Sequence, residues 1–181
     1  SFNGSVSSAT VSGAGSTWTN SAGLTIGREG VGTLTIINGG AVSNTTGVIG
    51  AAAGSAGTAA VDGGGSTWTN SADLSVGKAG TGMLTITNGG TVTNVTGYVG
   101  QIAGATGTAT VSGAGSAWTN SSELRIGQNG TGTLTISAGG TVSNTVGYLG
   151  NFSSGSATVD GTGSAWANSS VLYVGVSGSG V

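Results

Sequence analysis

Short tracts of alternating apolar and polar residues run the length of this chain. In residues 83 to 100, for example, Met-Leu-Thr-Ile, Thr-Val-Thr-Asn and Gly-Tyr-Val-Gly follow one another, separated by Thr, Asn, Gly and Val. A period of two belongs to a strand, whose successive side chains point to opposite faces. Enrichment in Thr, Val and Ile, with a glycine every few residues, works against helix. The pattern predicts an all-β chain of short strands.

The tracts recur at a fixed distance. Gly32-Thr33-Leu34-Thr35-Ile36 returns as Gly57-Thr58-Ala59-Ala60-Val61 and again as Gly82-Met83-Leu84-Thr85-Ile86. Alignment of all copies puts an inward apolar residue at Val11, Ile36, Val61, Ile86, Val111, Ile136 and Val159, in steps of 25, 25, 25, 25, 25 and 23. A second register runs through Asn20, Asn44, Asn70, Asn94, Asn120, Asn144 and Asn168, in steps of 24, 26, 24, 26, 24 and 24. Repeats of this length that cannot bury an apolar face alone must stack on their neighbours. The expected architecture is a right-handed single-stranded parallel β-helix, three strands per rung and about seven rungs, starting near residues 9, 33, 58, 83, 108, 133 and 156. At ~4.8 Å per rung it would be ~30 Å long. Residues 1–181 are read as one such domain, a fragment without caps from a longer chain, because it begins and ends inside a rung. The Asn-Gly-Gly and Ala-Gly-Gly corners at 38–40, 88–90 and 138–140 are expected to supply positive φ angles.

A longer period overlies the rungs. Trp18, Trp68, Trp118 and Trp166 each sit in one phrase, from Ser-Thr-Trp-Thr-Asn-Ser to Ser-Ala-Trp-Ala-Asn-Ser, at intervals of 50, 50 and 48. Ala9, Ala59, Ala109 and Ala157 share their rungs, whereas Leu34, Leu84 and Leu134 share rungs with Val42, Val92 and Val142. Small faces large throughout, as close packing of one cross-section requires. The indoles are therefore expected inside rather than as an exposed sugar-stacking ladder. On the third tract Leu24, Leu74, Leu124 and Leu172 alternate with Gly47, Gly97 and Gly147, which leave room for an indole. The asparagines are read as a stacked amide ladder closing a corner of each rung. Asn44, Asn94, Asn120 and Asn168 also begin glycosylation sequons, ranked below the ladder.

Composition narrows the chemistry. With 36% apolar residues and a net charge of −2 the chain is unlike a disordered segment. Three basic residues make a nucleic-acid or anionic-lipid partner a poor expectation. The absence of cysteine and histidine removes thiolate metal sites, disulfides and the commonest catalytic base, so no metal or cofactor is expected. No apolar run is long enough to span a bilayer as a helix, and the first residues do not read as a signal peptide.

Few carboxylates remain as candidates for catalysis. Asp62 and Asp160 lie four rungs apart, ~19 Å, too far to act together. Asp73 and Glu123 lie two rungs apart, ~10 Å, just outside the range for an inverting glycosidase pair. Glu123 instead has Arg125 on its own face, which suits a solvated ion pair. A polysaccharide-active enzyme is accordingly a minor alternative.

Two outward faces stand out. On the third strand the outward residues run Thr25, Val48, Ser75, Tyr98, Arg125, Tyr148 and Tyr173, the last four forming an aromatic and guanidinium stripe ~14 Å long. Such a stripe can anchor an interface or stack on sugar rings, or simply stabilise an exposed sheet. The first strand displays hydroxyls, among them Thr33, Thr35, Thr58, Thr108, Thr110, Thr133 and Thr135, interrupted by Ala60, Met83 and Ser156. This Thr-x-Thr array resembles the ice-binding face of β-helical antifreeze proteins.

The phrases at 130–144 (G-T-G-T-L-T-I-S-A-G-G-T-V-S-N), 80–94 (G-T-G-M-L-T-I-T-N-G-G-T-V-T-N) and 12–21 (S-G-A-G-S-T-W-T-N-S) resemble the repeats in passenger regions of bacterial autotransporters, the type V secreted proteins. The likeness covers nearly the whole chain. It implies a β-helical stalk carried to the bacterial cell surface, acting in adhesion or self-association. The implied partner is a protein or glycan of a host or neighbouring cell, or another copy. No enzymatic activity is implied for the repeats themselves.

Overall fold

The structure, a computed structural model, describes residues 4–177 and 180. These residues form strands and turns without a helix, in three parallel sheets of seven strands each. Each turn of the chain gives one strand to each sheet, as Thr81–Thr87, Thr91–Asn94 and Gly97–Val99 do. Each strand between the two ends of its sheet then pairs with its counterparts one turn before and one turn after. Leu84, for instance, lies between Ala59 and Ala109. The molecule is a β-solenoid of about seven turns with three strands per rung.

The interior follows the alternation of volumes. Trp68 and Trp118 are fully buried, and Val42, Val92 and Val142 occupy the same register on the intervening rungs. Ala59 and Ala109 alternate with Leu34, Leu84 and Leu134 in the first sheet. In the third sheet Gly97 pairs with Leu74 on one side and Leu124 on the other. A Cβ placed on Gly97 would meet Asn120 Oδ1 first, and would stand 2.9 Å from Leu124 Cδ1 and 3.0 Å from Trp118 Cζ2. The space that glycine vacates is thus filled by the asparagine amide, indole and leucine of the following rung. Gly47 stands in the same relation to Trp68 and Leu74. Each Leu/Val/Gly rung is therefore keyed to the Ala/Trp/Leu rung that follows it.

The asparagines reinforce that pairing rather than forming an unbroken ladder. Asn44 Nδ2 donates to Asn70 Oδ1 at 2.6 Å, and Asn94 Nδ2 to Asn120 Oδ1 at 2.7 Å. Going the other way, Trp68 Nε1 donates to Asn44 Oδ1 and Trp118 Nε1 to Asn94 Oδ1, both at 2.7 Å. The indole N–H takes the acceptor that a continuous amide ladder would have used. The amides on the tryptophan rungs turn to the backbone instead, Asn70 Nδ2 to the Thr93 carbonyl and Asn120 Nδ2 to the Ser143 carbonyl, each at 3.4 Å. Asn144, Asn168 and Trp166 repeat the motif. In the first rung Trp18 Nε1 reaches only its own Asn20, 3.1 Å away. Because Asn44, Asn94 and Asn120 are buried, their sequons present no free amide.

The corners supply positive φ angles as expected, at Asn38 and Gly39, Asn88 and Gly89, and Ala138 and Gly139, whereas the far end departs from the expectation. At the corners, the first two residues carry the positive φ: Asn38 at 56° and Gly39 at 82°, with Gly40 N–H donating to the Ile37 carbonyl at 3.0 Å. This is a type I′ turn, which needs φ > 0 at both central positions. Gly40 serves a different end, since a Cβ there would run into the Val11 carbonyl of the rung before. At the far end, Val159 holds the inward register but is 47% exposed, whereas Val111 is fully buried. Gly155–Asp160 is the last strand of the first sheet, followed among the described residues only by an isolated bridge from Gly155 to Gly180.

Candidate interaction surface

The third sheet consists of strands of three or four residues in which the flanking positions point inward and the middle one outward. In Gly97–Val99, Glu123–Ile126, Val146–Leu149 and Leu172–Val174 the outward residues are Tyr98, Arg125, Tyr148 and Tyr173, paired one to the next across the sheet. The stripe expected from the alternation is contiguous in space. Its upstream continuation is small, with Ser75 tucked beneath its neighbours and donating to Gln101 Oε1 at 2.9 Å.

Stacking along the solenoid axis sets the geometry of the stripe. Tyr148 and Tyr173 lie with ring centroids 5.2 Å apart and planes 20° from parallel. Arg125 Cζ sits 4.8 Å from the Tyr148 centroid, in cation–π range. Glu123 Oε2 holds Arg125 through Nη2 at 2.7 Å and Nε at 2.8 Å. Both side chains are part-exposed, so the pair contributes orientation more than stability. Tyr148 thus has one face on a guanidinium and the other on a phenol, and presents its edge and hydroxyl to solvent. A sugar ring stacked flat on Tyr148 has no open face to use. Partial burial lifts the Tyr98 phenol above its usual pKa; Asp73 adds to the rise, Arg125 opposes it and Glu123 adds further.

The carboxylates weighed as catalysts are not gathered. Asp73 Oδ1 accepts from the Thr96 N–H at 3.3 Å, and Glu123 is committed to Arg125, with the Thr96 rung between them. Asp62 Oδ1 accepts from Thr87 Oγ1 and Asn88 Nδ2, both at 2.6 Å, and so braces a corner. Asp160 lies in the same register four rungs on. Among the described residues no group of three His, Cys, Asp or Glu could hold a metal ion, and no helix is long and apolar enough to cross a membrane. A cavity of about 280 Å³ at the N-terminal end, lined in part by Trp18, Leu24, Ile26 and Leu34, is the core cross-section seen end-on.

The first sheet displays two outward ranks of hydroxyls. One pairs Thr33 with Thr58 and Thr108 with Thr133; the other aligns Thr85, Thr110, Thr135 and Thr158. Met83 interrupts the first rank and is 46% exposed.

The serines two residues before Trp68, Trp118 and Trp166 share a role that their sequence position does not reveal. Ser66 Oγ accepts from the Gly39 N–H at 3.1 Å and donates to the Asp62 carbonyl at 2.7 Å, stitching a corner to the rung before it. Ser116 does the same with Gly89 and Ser112, and Ser164 with Gly139 and Asp160. Recurrence in the tryptophan phrase was the available signal. Comparison with known protein families, curated protein sequences and solved structures finds no significant match to this chain.

Proposed function

We propose that this β-solenoid is a non-enzymatic shaft displayed at a bacterial cell surface, the passenger segment of an autotransporter, with the third-sheet stripe as a contact surface in adhesion or self-association. The observation that supports this most directly is the contrast between a dense, repeat-built interior and, among the described residues, a contiguous aromatic and cationic stripe on its outside. The stripe offers tyrosine edges, hydroxyls and an oriented guanidinium, which suit a protein surface or the polar rim of a glycan. A chain without cysteine is not trapped by cross-links before export, and rungs that contact only their neighbours can fold progressively as they emerge. The test is surface display behind a signal peptide and ahead of a membrane barrel. Replacing Tyr98, Tyr148 and Tyr173 together by serine should reduce cell–cell or cell–matrix attachment at equal surface density; unchanged attachment sinks the contact role. Trp68→Asp should lower surface yield, and full yield would count against folding-assisted export.

The hydroxyl ranks favour a second reading, an ice-binding face. It predicts thermal hysteresis that grows when Met83→Thr completes the first rank. Absence of hysteresis in both proteins removes it.

A further inference from the structure

Tyr148 and Tyr173 occupy equivalent positions on adjacent parallel strands, so their rings overlap and both hydroxyls point the same way out of the sheet. Tyr173 is 45% exposed and Tyr148 is part-exposed, so both can be reached from solvent. Tyr98 lies two rungs from Tyr148, ~10 Å away, with Arg125 on the strand between. One tyrosine pair is thus stacked and open to solvent, and the third tyrosine is set apart from it.

We propose that Tyr148 and Tyr173 form an oxidative cross-linking site, at which a one-electron oxidant such as a peroxide-driven haem peroxidase joins two successive rungs through a dityrosine bond. Each phenol loses an electron to the oxidant and its hydroxyl proton to water, giving two phenoxyl radicals. These couple ortho carbon to ortho carbon; each ring then releases its displaced ortho hydrogen as a proton, and a proton returns to each oxygen. The sum is two electrons and two protons removed from the pair, balanced by reduction of one peroxide to two waters. Fixed proximity makes the intramolecular reaction outrun encounters between molecules. The product is a covalent staple between rungs in a chain that has no cysteine to provide one.

The experiment treats the intact folded chain with peroxidase and hydrogen peroxide and follows dityrosine fluorescence and intact mass. The expected product is a monomer lighter by two hydrogens. Cleavage after Arg125 and before Asp160 should release peptides 126–159 and 160–181 still joined. Tyr148→Phe and Tyr173→Phe keep the stacked rings and should each lower the monomer dityrosine signal by at least about tenfold. Tyr98→Phe should leave it unchanged. Dityrosine found chiefly in covalent dimers or in peptides carrying Tyr98 would overturn the site. So would no cross-link under conditions that couple free tyrosine, with the circular dichroism of the folded chain intact.

Discussion

Ala138 stands at the first corner position of its rung with φ at 50°, where equivalent rungs carry Asn38 and Asn88. Those asparagines tolerate left-handed backbone and repay it with a side-chain hydrogen bond, Asn38 Nδ2 to Ser12 Oγ at 3.1 Å and Asn88 Nδ2 to Asp62 Oδ1. Alanine has no such compensation. Ala138→Gly removes a penalty of ~1–2 kcal/mol against an unfolded-state entropy cost of ~0.4–1 kcal/mol. A net gain of roughly 0.5 kcal/mol should appear as a higher urea midpoint at constant slope. Tyr98 supplies a pH-dependent counterpart. Because its phenol titrates higher in the folded chain than in the unfolded one, its contribution is fully present below the unfolded pKa of about 10 and is lost as pH rises through the folded value. The urea midpoint should therefore fall from that pH upward, and Tyr98→Phe should flatten part of the decline. An identical decline in the variant would contradict this assignment.

At the scale of the rung, side chains from consecutive turns share one cross-section, so a substitution is felt one rung away. Gly97→Ala drives a methyl against the Asn120 amide oxygen, Leu124 and Trp118, all of them buried and backed by further rungs. Overpacking of that kind costs ~1–3 kcal/mol. Adding Leu124→Val should recover part of the loss, as coupled neighbours do. Gly64 provides the contrast, since nothing lies within 4 Å of its Cβ position and its φ is not in the left-handed region. Gly64→Ala should change stability by no more than about 0.5 kcal/mol. Equal effects at the two sites, read from chemical denaturation, would show that the keying of glycine to the asparagine, indole and leucine of the next rung is not what couples the rungs.

Across the whole molecule, stability is a sum over neighbouring rungs, and among the described residues each strand pairs only with the strands of adjacent rungs. The middle rungs are covered on both sides, whereas Val159 and Leu172 near one end and Val6 near the other are exposed. Amide hydrogen exchange should therefore be slowest in Thr81–Thr87 and Thr106–Ser112 and faster in Val6–Ser12 and Gly155–Asp160. Uniform protection along the chain would mean that the solenoid opens as one unit rather than from its ends.

The alternation of Ala with Leu, Trp with Val and Leu with Gly was legible in the linear chain, because each triplet fills one rung and the period repeats. That was enough to give strands, a parallel stack, inward indoles and the order of the outward stripe. The partner of each polar atom was not legible. Which of two stacked asparagines meets the indole N–H depends on which rung the indole leans towards, and that follows from the space above Gly47 and Gly97, not from spacing. The positive φ of the Asn-Gly-Gly corner was legible, but the reason for its second glycine was not, since it lies in the Val11 carbonyl approaching Gly40 from the rung before. For the stripe, sequence placed four side chains in a row, but only the stacked geometry shows Tyr148 enclosed between Arg125 and Tyr173, leaving its edge to solvent. Periodicity along a chain fixes which face a residue occupies; contacts between turns fix what its atoms touch, since those depend on distances that one strand alone does not contain.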